Sequence, residues 1–358
     1  MHLNTPSPPI QAGKSMLVLT SPRFEEHTPP PGHPERPERA QVFDTIASSW
    51  RDLGVPTTRP RPATRDELQR AHTAAHVNAM ELLAGRAAAI DADTFTSPES
   101  HEIALLAAGA AVQAGAHAAE TGEIAVALVR PPGHHAERDR AMGFCLFNNV
   151  AVAAAAVLAR GLARVAIIDI DVHHGNGTQD IFYEDPRVLY VSTHQSPFYP
   201  GTGAADEVGR HAGEGFTVNV PMEAGSTDAD YRHVYSSIAN VIEQYSPQLV
   251  FISAGYDAHA DDPLASMRMS TNGYGEIVRL LRKTAARCAS PIVLVTEGGY
   301  DLDALRDCLD VTLRVLSEPG NSAASGAALG NVVASAAPRG VRAMASVRAA
   351  QSRFWPGL

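Results

Sequence analysis

The chain has 358 residues, of which 45% are apolar, and this length and composition predict a folded domain with a large core. Its formal net charge of −10 argues against nucleic acid as a partner, because phosphate binding requires clustered Lys and Arg. No apolar run reaches the roughly 18 residues of a membrane span, and residues 1–14 lack the apolar segment of a signal peptide, so no membrane partner is expected.

The predicted elements follow the order of an α/β protein. Residues 1–14 are expected to be a flexible tail before a single domain at residues 15–358. Short runs rich in Val and Ile predict buried parallel strands at residues 16–20, 124–129, 165–170, 188–192, 249–253 and 292–296. The pattern also predicts helices at residues 102–120, 149–159, 231–245, 274–286 and 341–352, and a loop at 319–328. Alternating strands and helices predict a mostly parallel central sheet flanked by helices.

The cysteines indicate the compartment. Cys145, Cys288 and Cys308 have no CxxC spacing and cannot form a disulfide framework. A reducing, cytoplasmic location is therefore expected.

Four predicted strands run directly into polar, glycine-bearing segments. These segments are residues 130–135 (RPPGHH), 171–177 (DVHHGNG), 254–259 (AGYDAH) and 297–300 (EGGY). In parallel α/β sheets, functional residues gather at the carboxyl ends of the strands. The sequence therefore predicts that the chemistry of this protein resides in these segments.

The second segment has the spacing of a metal site. Asp169, Asp171 and His173 are two residues apart, so their side chains project on the same side of an extended backbone. A lone Asp-x-His is more often a surface pair, but the apolar run before it implies burial, and a buried carboxylate needs a partner or a metal. Asp257 also follows a strand end and is the natural third ligand. Two carboxylates and one imidazole leave a coordination position for water and substrate, as in catalytic zinc sites.

The other two segments supply groups that can move or donate a proton. The adjacent histidines His134 and His135 could be satisfied core residues, and Tyr300 could simply pack on its turn. Beside a metal, however, imidazole suits a general base and acid near neutral pH, and Asp169 can orient one ring. The phenol of Tyr300 can donate to a carbonyl oxygen that becomes negative in the transition state.

Together these segments resemble the histone deacetylase superfamily, which includes bacterial acetylpolyamine amidohydrolases and acetoin-utilisation proteins. The resemblance covers, in family order, residues 33–39 (HPERPER), 130–135, 143–149 (GFCLFNN), 169–179 (DIDVHHGNGTQ), 200–203 (PGTG), 254–263 and 297–302. It spans most of the chain and implies the arginase–deacetylase fold, with a deacetylase catalytic domain at residues 15–358.

The resemblance implies two cation sites. Asp171, His173 and Asp257 match the ligands of a catalytic zinc ion, although iron(II) or cobalt(II) can also serve at such a site. Asp169, Asp171, His173 and Ser192 match a structural monovalent-cation site, typically occupied by potassium.

The resemblance also implies catalytic roles. His135 matches the general base and acid, and His134 matches a mainly electrostatic histidine that Asp169 orients. Asn176 stands where one branch of the family has an Asp facing His135, so it resembles the class II branch and should stabilise the imidazolium less. Tyr300 matches the tyrosine that stabilises the transition state.

Further matches concern the substrate tunnel. Phe144, preceded by Gly143, and Tyr199 match the aromatic walls that enclose an aliphatic lysine stem. Leu264 matches the rim of the tunnel. Asp93 is the candidate for the rim aspartate that grips the substrate backbone.

The predicted reaction is hydrolysis of an N-acyl amine. Acetylated lysine in a protein or peptide is the leading substrate, and the alternative is a small acetylated amine such as an acetylpolyamine. A protein that binds acyl-lysine without turnover is a third hypothesis, which the intact His135 and Tyr300 oppose. Asn176 opposes an arginase-like two-metal enzyme, which would need further acidic ligands. A homo-oligomer is compatible with the sequence.

Overall fold

The computed structural model describes residues 16–319 and 337–358. Its strands are β1 (Met16–Leu19), β2 (Thr57–Thr58), β3 (Ala88–Ala89), β4 (Phe95–Thr96), β5 (Ile124–Ala127), β6 (Val165–Asp169), β7 (Val188–Gln195), β8 (Thr217–Met222), β9 (Leu249–Ala254) and β10 (Ile292–Thr296). Eight of these form one sheet in the order β2-β1-β5-β10-β9-β6-β7-β8, in which each neighbouring pair is parallel. The short strands β3 and β4 form a separate antiparallel pair.

Helices cover both faces of the sheet. The α-helices are α1 (Glu38–Asp52), α2 (Arg65–Leu68), α3 (Ala74–Glu81), α4 (Ser100–Thr121), α5 (Asn149–Ala159), α6 (Asn176–Phe182), α7 (Asp228–Tyr245), α8 (Thr271–Arg287), α9 (Leu302–Ser317) and α10 (Pro338–Gln351). Short 3-10 helices occur at Pro22–Glu26 and His211–Gly213. Within the two described ranges, no helix has both the length and the apolar character needed to cross a membrane.

The alternation of side chains along the strands divides the core into two layers. On β6, which is buried along its whole length, Ala166 and Ile168 pack in a core shared with α1, α7, α8, α9 and α10. Val165 and Ile167 point to the opposite face and pack in a core shared with α2, α3, α4 and α5. Because both faces are covered, the central strands are apolar at every position rather than at alternate positions.

The predicted fold class, a mostly parallel sheet flanked by helices, is confirmed. Strands occur at all six predicted places, but β8 and the two-residue strands β2, β3 and β4 were not predicted. In β8, Pro221 obscures the strand pattern. Proline argues against a central strand, yet β8 lies at the sheet edge, where the missing N–H is tolerated. The predicted tail at residues 1–14 and residues 320–328 of the predicted loop lie outside the described residues.

The strand order positions the polar segments. Strands β9 and β10 lie between β5 and β6, so these four strands are consecutive neighbours in the sheet. The polar segments that follow them therefore leave the same carboxyl edge side by side. Segments separated by more than a hundred residues in the chain are brought together in this way.

Candidate metal centre and active site

Asp171, His173 and Asp257 converge at the carboxyl edge of the sheet. Asp171 and His173 follow β6, Asp257 follows β9, and all three are buried. One potential ligand atom from each lies within 4.8 Å of the others. Nδ1 of His173 lies 3.2 Å from Oδ1 of Asp171 and 3.1 Å from Oδ2 of Asp257.

The surroundings of this group fit a divalent cation. Burial and the nearby charge of Asp171 together raise the pKa of Asp257 to about 7, so two carboxylates this close need a compensating positive charge. Backbone N–H groups hold the carboxylates in place: Val172 donates to Asp257 at 2.9 Å, and Gly298 donates to Asp171 at 2.8 Å. A mixed nitrogen and oxygen ligand set of three protein groups is typical of catalytic zinc.

His134 and Asp169 form a buried pair beside the candidate metal ligand Asp171. Nδ1 of His134 lies 3.1 Å from Oδ2 of Asp169, which also accepts a hydrogen bond of 3.1 Å from the hydroxyl of Tyr190. Burial lowers the pKa of His134, but the charges of Asp171 and Asp169 outweigh this effect and raise the pKa to about 10. The two carboxylates therefore favour the protonated, positively charged form of His134.

His135 has a neutral partner instead. Its Nδ1 lies 2.7 Å from Oδ1 of Asn176, the first residue of α6. Burial and the positive charge of His134 hold the pKa of His135 well below its usual value, so the ring is uncharged near neutral pH. Gly143 packs against this ring, and a Cβ there would lie 2.5 Å from Cδ2 of His135. His135 is thus a neutral imidazole in a tightly shaped pocket.

Tyr300 lies on the turn between β10 and α9. Asp262 accepts hydrogen bonds from the backbone N–H groups of Tyr300 and Asp301 at 2.6 and 3.2 Å, which fixes the turn. The guanidinium of Arg39 lies 5.0 Å from the centre of the Tyr300 ring. Burial raises the pKa of the Tyr300 hydroxyl well above its usual value, which keeps it protonated as a hydrogen-bond donor.

Aromatic rings pack against His135, Tyr300 and the candidate ligand His173. Phe144 packs edge-on against Tyr300 with centroids 5.8 Å apart, and Tyr199 packs edge-on against His135 at 5.1 Å. Tyr199 is 37% exposed, so this predicted wall of the substrate tunnel reaches solvent. Phe198, which was not predicted as a site residue, stacks on His173 with ring centroids 5.2 Å apart and an angle of 21° between the ring planes.

Leu264 and Asp93, the residues predicted to lie at the rim of the substrate tunnel, are both partly exposed. Leu264 and Tyr300 line a surface cavity of about 540 Å³ together with the proline-rich stretch at residues 29–34. Asp93 lies on the loop before β4; its backbone oxygen is 3.0 Å from Nε2 of His33, and its carboxylate lies near the backbone of Gly143. Phe144 and Leu264 thus lie beside Tyr300, and Tyr199 lies beside His135, around the predicted mouth of the site, and their roles stay predictions.

Ser192 lies next to Asp169 across the β6–β7 pair. Both residues are fully buried, and Oγ of Ser192 lies 2.9 Å from Nδ1 of His194. The predicted structural potassium site remains a prediction.

The sequence missed several supporting residues. Glu297 accepts backbone hydrogen bonds from Gly133 at 2.6 Å and His134 at 3.1 Å, and so ties the two histidines to β10. Its position directly after a predicted strand could have identified it as a site residue from the sequence. Tyr190 and Glu137, a partner of Asn176, had no comparable sequence signal because their contacts depend on the tertiary fold.

Comparison with known proteins identifies similar chains. Residues 33–316 match the family model described as the histone deacetylase domain. A probable deacetylase from Archaeoglobus fulgidus is 40% identical over 286 residues, which are 78% of this chain and 80% of that protein. Histone deacetylase 15 of Arabidopsis thaliana is 38% identical over 359 aligned positions, covering 95% of this chain and 62% of that longer protein.

Two further matches extend this comparison. A histone deacetylase-like amidohydrolase from Pseudomonas aeruginosa is 37% identical over 300 residues, 81% of this chain and 78% of that protein. Among solved structures, the crystal structure of the HDA15 HD domain matches with a TM-score of 0.85 and 35% identity over 96% of both chains.

Proposed function

Since the chain belongs to the histone deacetylase family, we propose that it is a metal-dependent deacetylase that hydrolyses N-acyl amides of lysine side chains. Relatives named deacetylase and amidohydrolase support hydrolytic activity. The observation that carries the proposal is that His135 lies beside the Asp171–His173–Asp257 group, with its ring centroid 5.8 Å from that of His173. A ligand-binding protein without turnover would have no need for this base.

Asp171, His173 and Asp257 would hold the ion, with zinc as the first candidate and iron(II) or cobalt(II) as substitutes. When bound, such an ion lowers the pKa of water towards about 7 and polarises the amide carbonyl. His135 accepts a proton from the attacking water and then donates it to the departing amine. Tyr300 donates a hydrogen bond to the carbonyl oxygen as charge develops, a contribution of roughly 3–4 kcal/mol.

The shape of the mouth supports an acyl-lysine substrate. The rings of Phe144 and Tyr199 pack against Tyr300 and His135 respectively, and such apolar walls suit an aliphatic stem. The surface cavity of about 540 Å³ beside Leu264 is the candidate site for the residues that flank a lysine in a peptide. Asp93 at the rim would accept hydrogen bonds from the peptide backbone.

A second candidate substrate is a small acetylated cationic amine. Asp91 and Asp93 lie together on the rim loop, and the charges of both act on Tyr199. A pair of carboxylates at the mouth favours a second positive charge on the substrate, as in an acetylated polyamine.

The three free cysteines support a reducing compartment, and we propose the cytoplasm.

We also propose a structural potassium ion at Asp169 and Ser192. Its test is to compare the thermal stability of the protein in potassium and in sodium.

The decisive experiment compares the two substrate classes on the purified, zinc-loaded protein. We expect kcat/KM for an acetyl-lysine peptide to exceed that for acetylputrescine and acetylspermidine, whereas the reverse order would favour the second candidate. The Asp257→Asn variant should lose both bound zinc and activity. Asp261→Asn is the matched control, because Asp261 is four residues away and its side chain is 76% exposed. No hydrolysis of either substrate by protein with a full complement of zinc would overturn the proposed function.

A further inference from the structure

The side chain of Asn176 lies between His135 and a carboxylate. Its Oδ1 is 2.7 Å from Nδ1 of His135, and its Nδ2 donates to Oε1 of Glu137 at 2.7 Å. Glu137 is two residues beyond His135, and its side chain is 23% exposed. Its other carboxylate oxygen is 3.1 Å from the guanidinium of Arg140. The amide of Asn176 thus joins an imidazole to a partly solvated carboxylate.

The orientation of this amide decides which nitrogen of His135 carries the hydrogen. When the carbonyl oxygen of Asn176 faces Nδ1, that nitrogen must donate, and Nε2 keeps a free lone pair that can accept a proton. When the amide is reversed, its NH₂ group faces Nδ1, which must accept. The hydrogen then sits on Nε2, and the ring cannot act as a base through that nitrogen. The two orientations have almost the same shape, so packing alone discriminates weakly between them.

The carboxylate of Glu137 favours one of these two amide orientations. A carboxylate only accepts hydrogen bonds, so it pairs with the NH₂ group of Asn176 and repels the carbonyl oxygen. The other acceptors near Nδ2 are more distant: the backbone oxygen of His135 at 3.4 Å and Sδ of Met142 at 3.3 Å. The contact with Glu137 is the shortest of the three, and hydrogen bonds to a charged acceptor are the stronger class.

We propose that Glu137 is a positioning residue that fixes the amide orientation of Asn176 and thereby the reactive tautomer of His135. This role rests on the proposed function, because the tautomer matters only if His135 is a base. It also restores part of what an Asp at position 176 would provide, since a carboxylate orients the ring through the amide instead of contacting it directly.

A double-mutant cycle tests this proposal. Glu137→Met keeps the length of the side chain but removes the acceptor, so kcat should fall at least tenfold, and by up to the roughly 10⁴-fold loss seen when a catalytic histidine is held in the wrong tautomer, while KM and zinc content stay unchanged. In the Asn176→Asp background, Glu137→Met should leave kcat unchanged or raise it. Asp has two equivalent oxygens and no orientation to be chosen, and Glu137 there adds only like-charge repulsion.

A merely structural role for Glu137 predicts a different pattern. The proposal would be overturned if Glu137→Met lowered kcat by the same factor in both backgrounds. It would also be overturned if zinc content or thermal stability fell in step with kcat. Glu184→Met is the matched control. Glu137 and Glu184 both line a surface cavity of about 570 Å³, but Glu184 pairs with Arg210 rather than with Asn176.

A spectroscopic readout separates this proposal from the proposed function. In zinc-loaded protein with ¹⁵N-labelled histidine, the signal assigned through its loss in His135→Gln should show hydrogen on Nδ1. Glu137→Met should shift it towards the Nε2–H form, and Glu184→Met should not. An unchanged Nδ1–H form in Glu137→Met would overturn the positioning role, whether or not the protein hydrolyses any acetylated substrate.

Discussion

Gly298 lies directly against Asp171. The backbone N–H of Gly298 donates to Oδ2 of Asp171 at 2.8 Å, and a Cβ on Gly298 would lie 2.7 Å from the same oxygen. That Cβ would also lie 2.3 Å from Oδ2 of Asp257. Since real Cβ atoms do not approach oxygens so closely, the absence of a side chain at this position is a condition for the two carboxylates to converge.

The Gly298→Ala variant should therefore bind zinc more weakly. The added methyl group must displace one or both carboxylates, and we expect a loss of roughly 10–100-fold in affinity, the range typical of disturbed ligand positioning. Zinc competition against a chromophoric chelator measures this change. An unchanged affinity, with the fold intact by circular dichroism, would show that the ligands are not held as the structure indicates.

The Tyr300→Phe variant should lower turnover without affecting metal content. Removal of a hydrogen-bond donor to the developing oxyanion costs roughly 10²–10³ in kcat, whereas Asp171 and Asp257 keep their backbone donors. Stopped assays with parallel zinc analysis test both quantities.

A matched control exists for this substitution. Tyr245→Phe also removes a buried tyrosine hydroxyl, one that donates to the backbone of Pro186 at 3.1 Å rather than facing the site. Equal losses of kcat in both variants, or a parallel loss of zinc in Tyr300→Phe, would remove the catalytic role of Tyr300.

The Asn176→Asp variant should shift the pH profile. His135 must be neutral to act as a base, so kcat/KM is lost as pH falls through its pKa. Burial and the charge of His134 hold this pKa low in the wild type, and a carboxylate beside Nδ1 would raise it. The acidic limb of the kcat/KM profile should therefore move to higher pH, and a shift to lower pH would contradict the assignment of His135 as the base.

The Arg130→Met variant should be markedly less stable. Arg130 donates to both oxygens of Glu35, at 2.6 and 2.7 Å, and both side chains are fully buried. Breaking a buried ion pair costs about 3–5 kcal/mol in free energy of unfolding. Because Glu35 keeps a second buried guanidinium, that of Arg39 at 2.9 Å, we expect a loss at the lower end of this range, which denaturant titration measures. Arg287→Met, which breaks an exposed pair with Glu243, should cost no more than about 1 kcal/mol. Similar losses in the two variants would contradict this account.

Much of the metal centre was predictable from local sequence. The run at residues 165–169 is apolar enough to be a buried strand, and the side chains that follow it must lie at the carboxyl edge of a parallel sheet. The same reasoning places Asp257 after β9 and Tyr300 after β10. These placements depend on strand periodicity and connection direction, which neighbouring residues determine.

The tertiary structure alone decided how these groups are held. Glu297 reaches the backbone of His134 across 163 residues of chain, and Tyr190 reaches Asp169 across the β6–β7 pair. The orientation of the Asn176 amide likewise depends on Glu137, 39 residues away. A strand pattern indicates that a residue lies at the carboxyl edge. Which atom of a buried polar side chain faces its neighbour depends on donors and acceptors from several loops, and these meet only after the sheet has assembled.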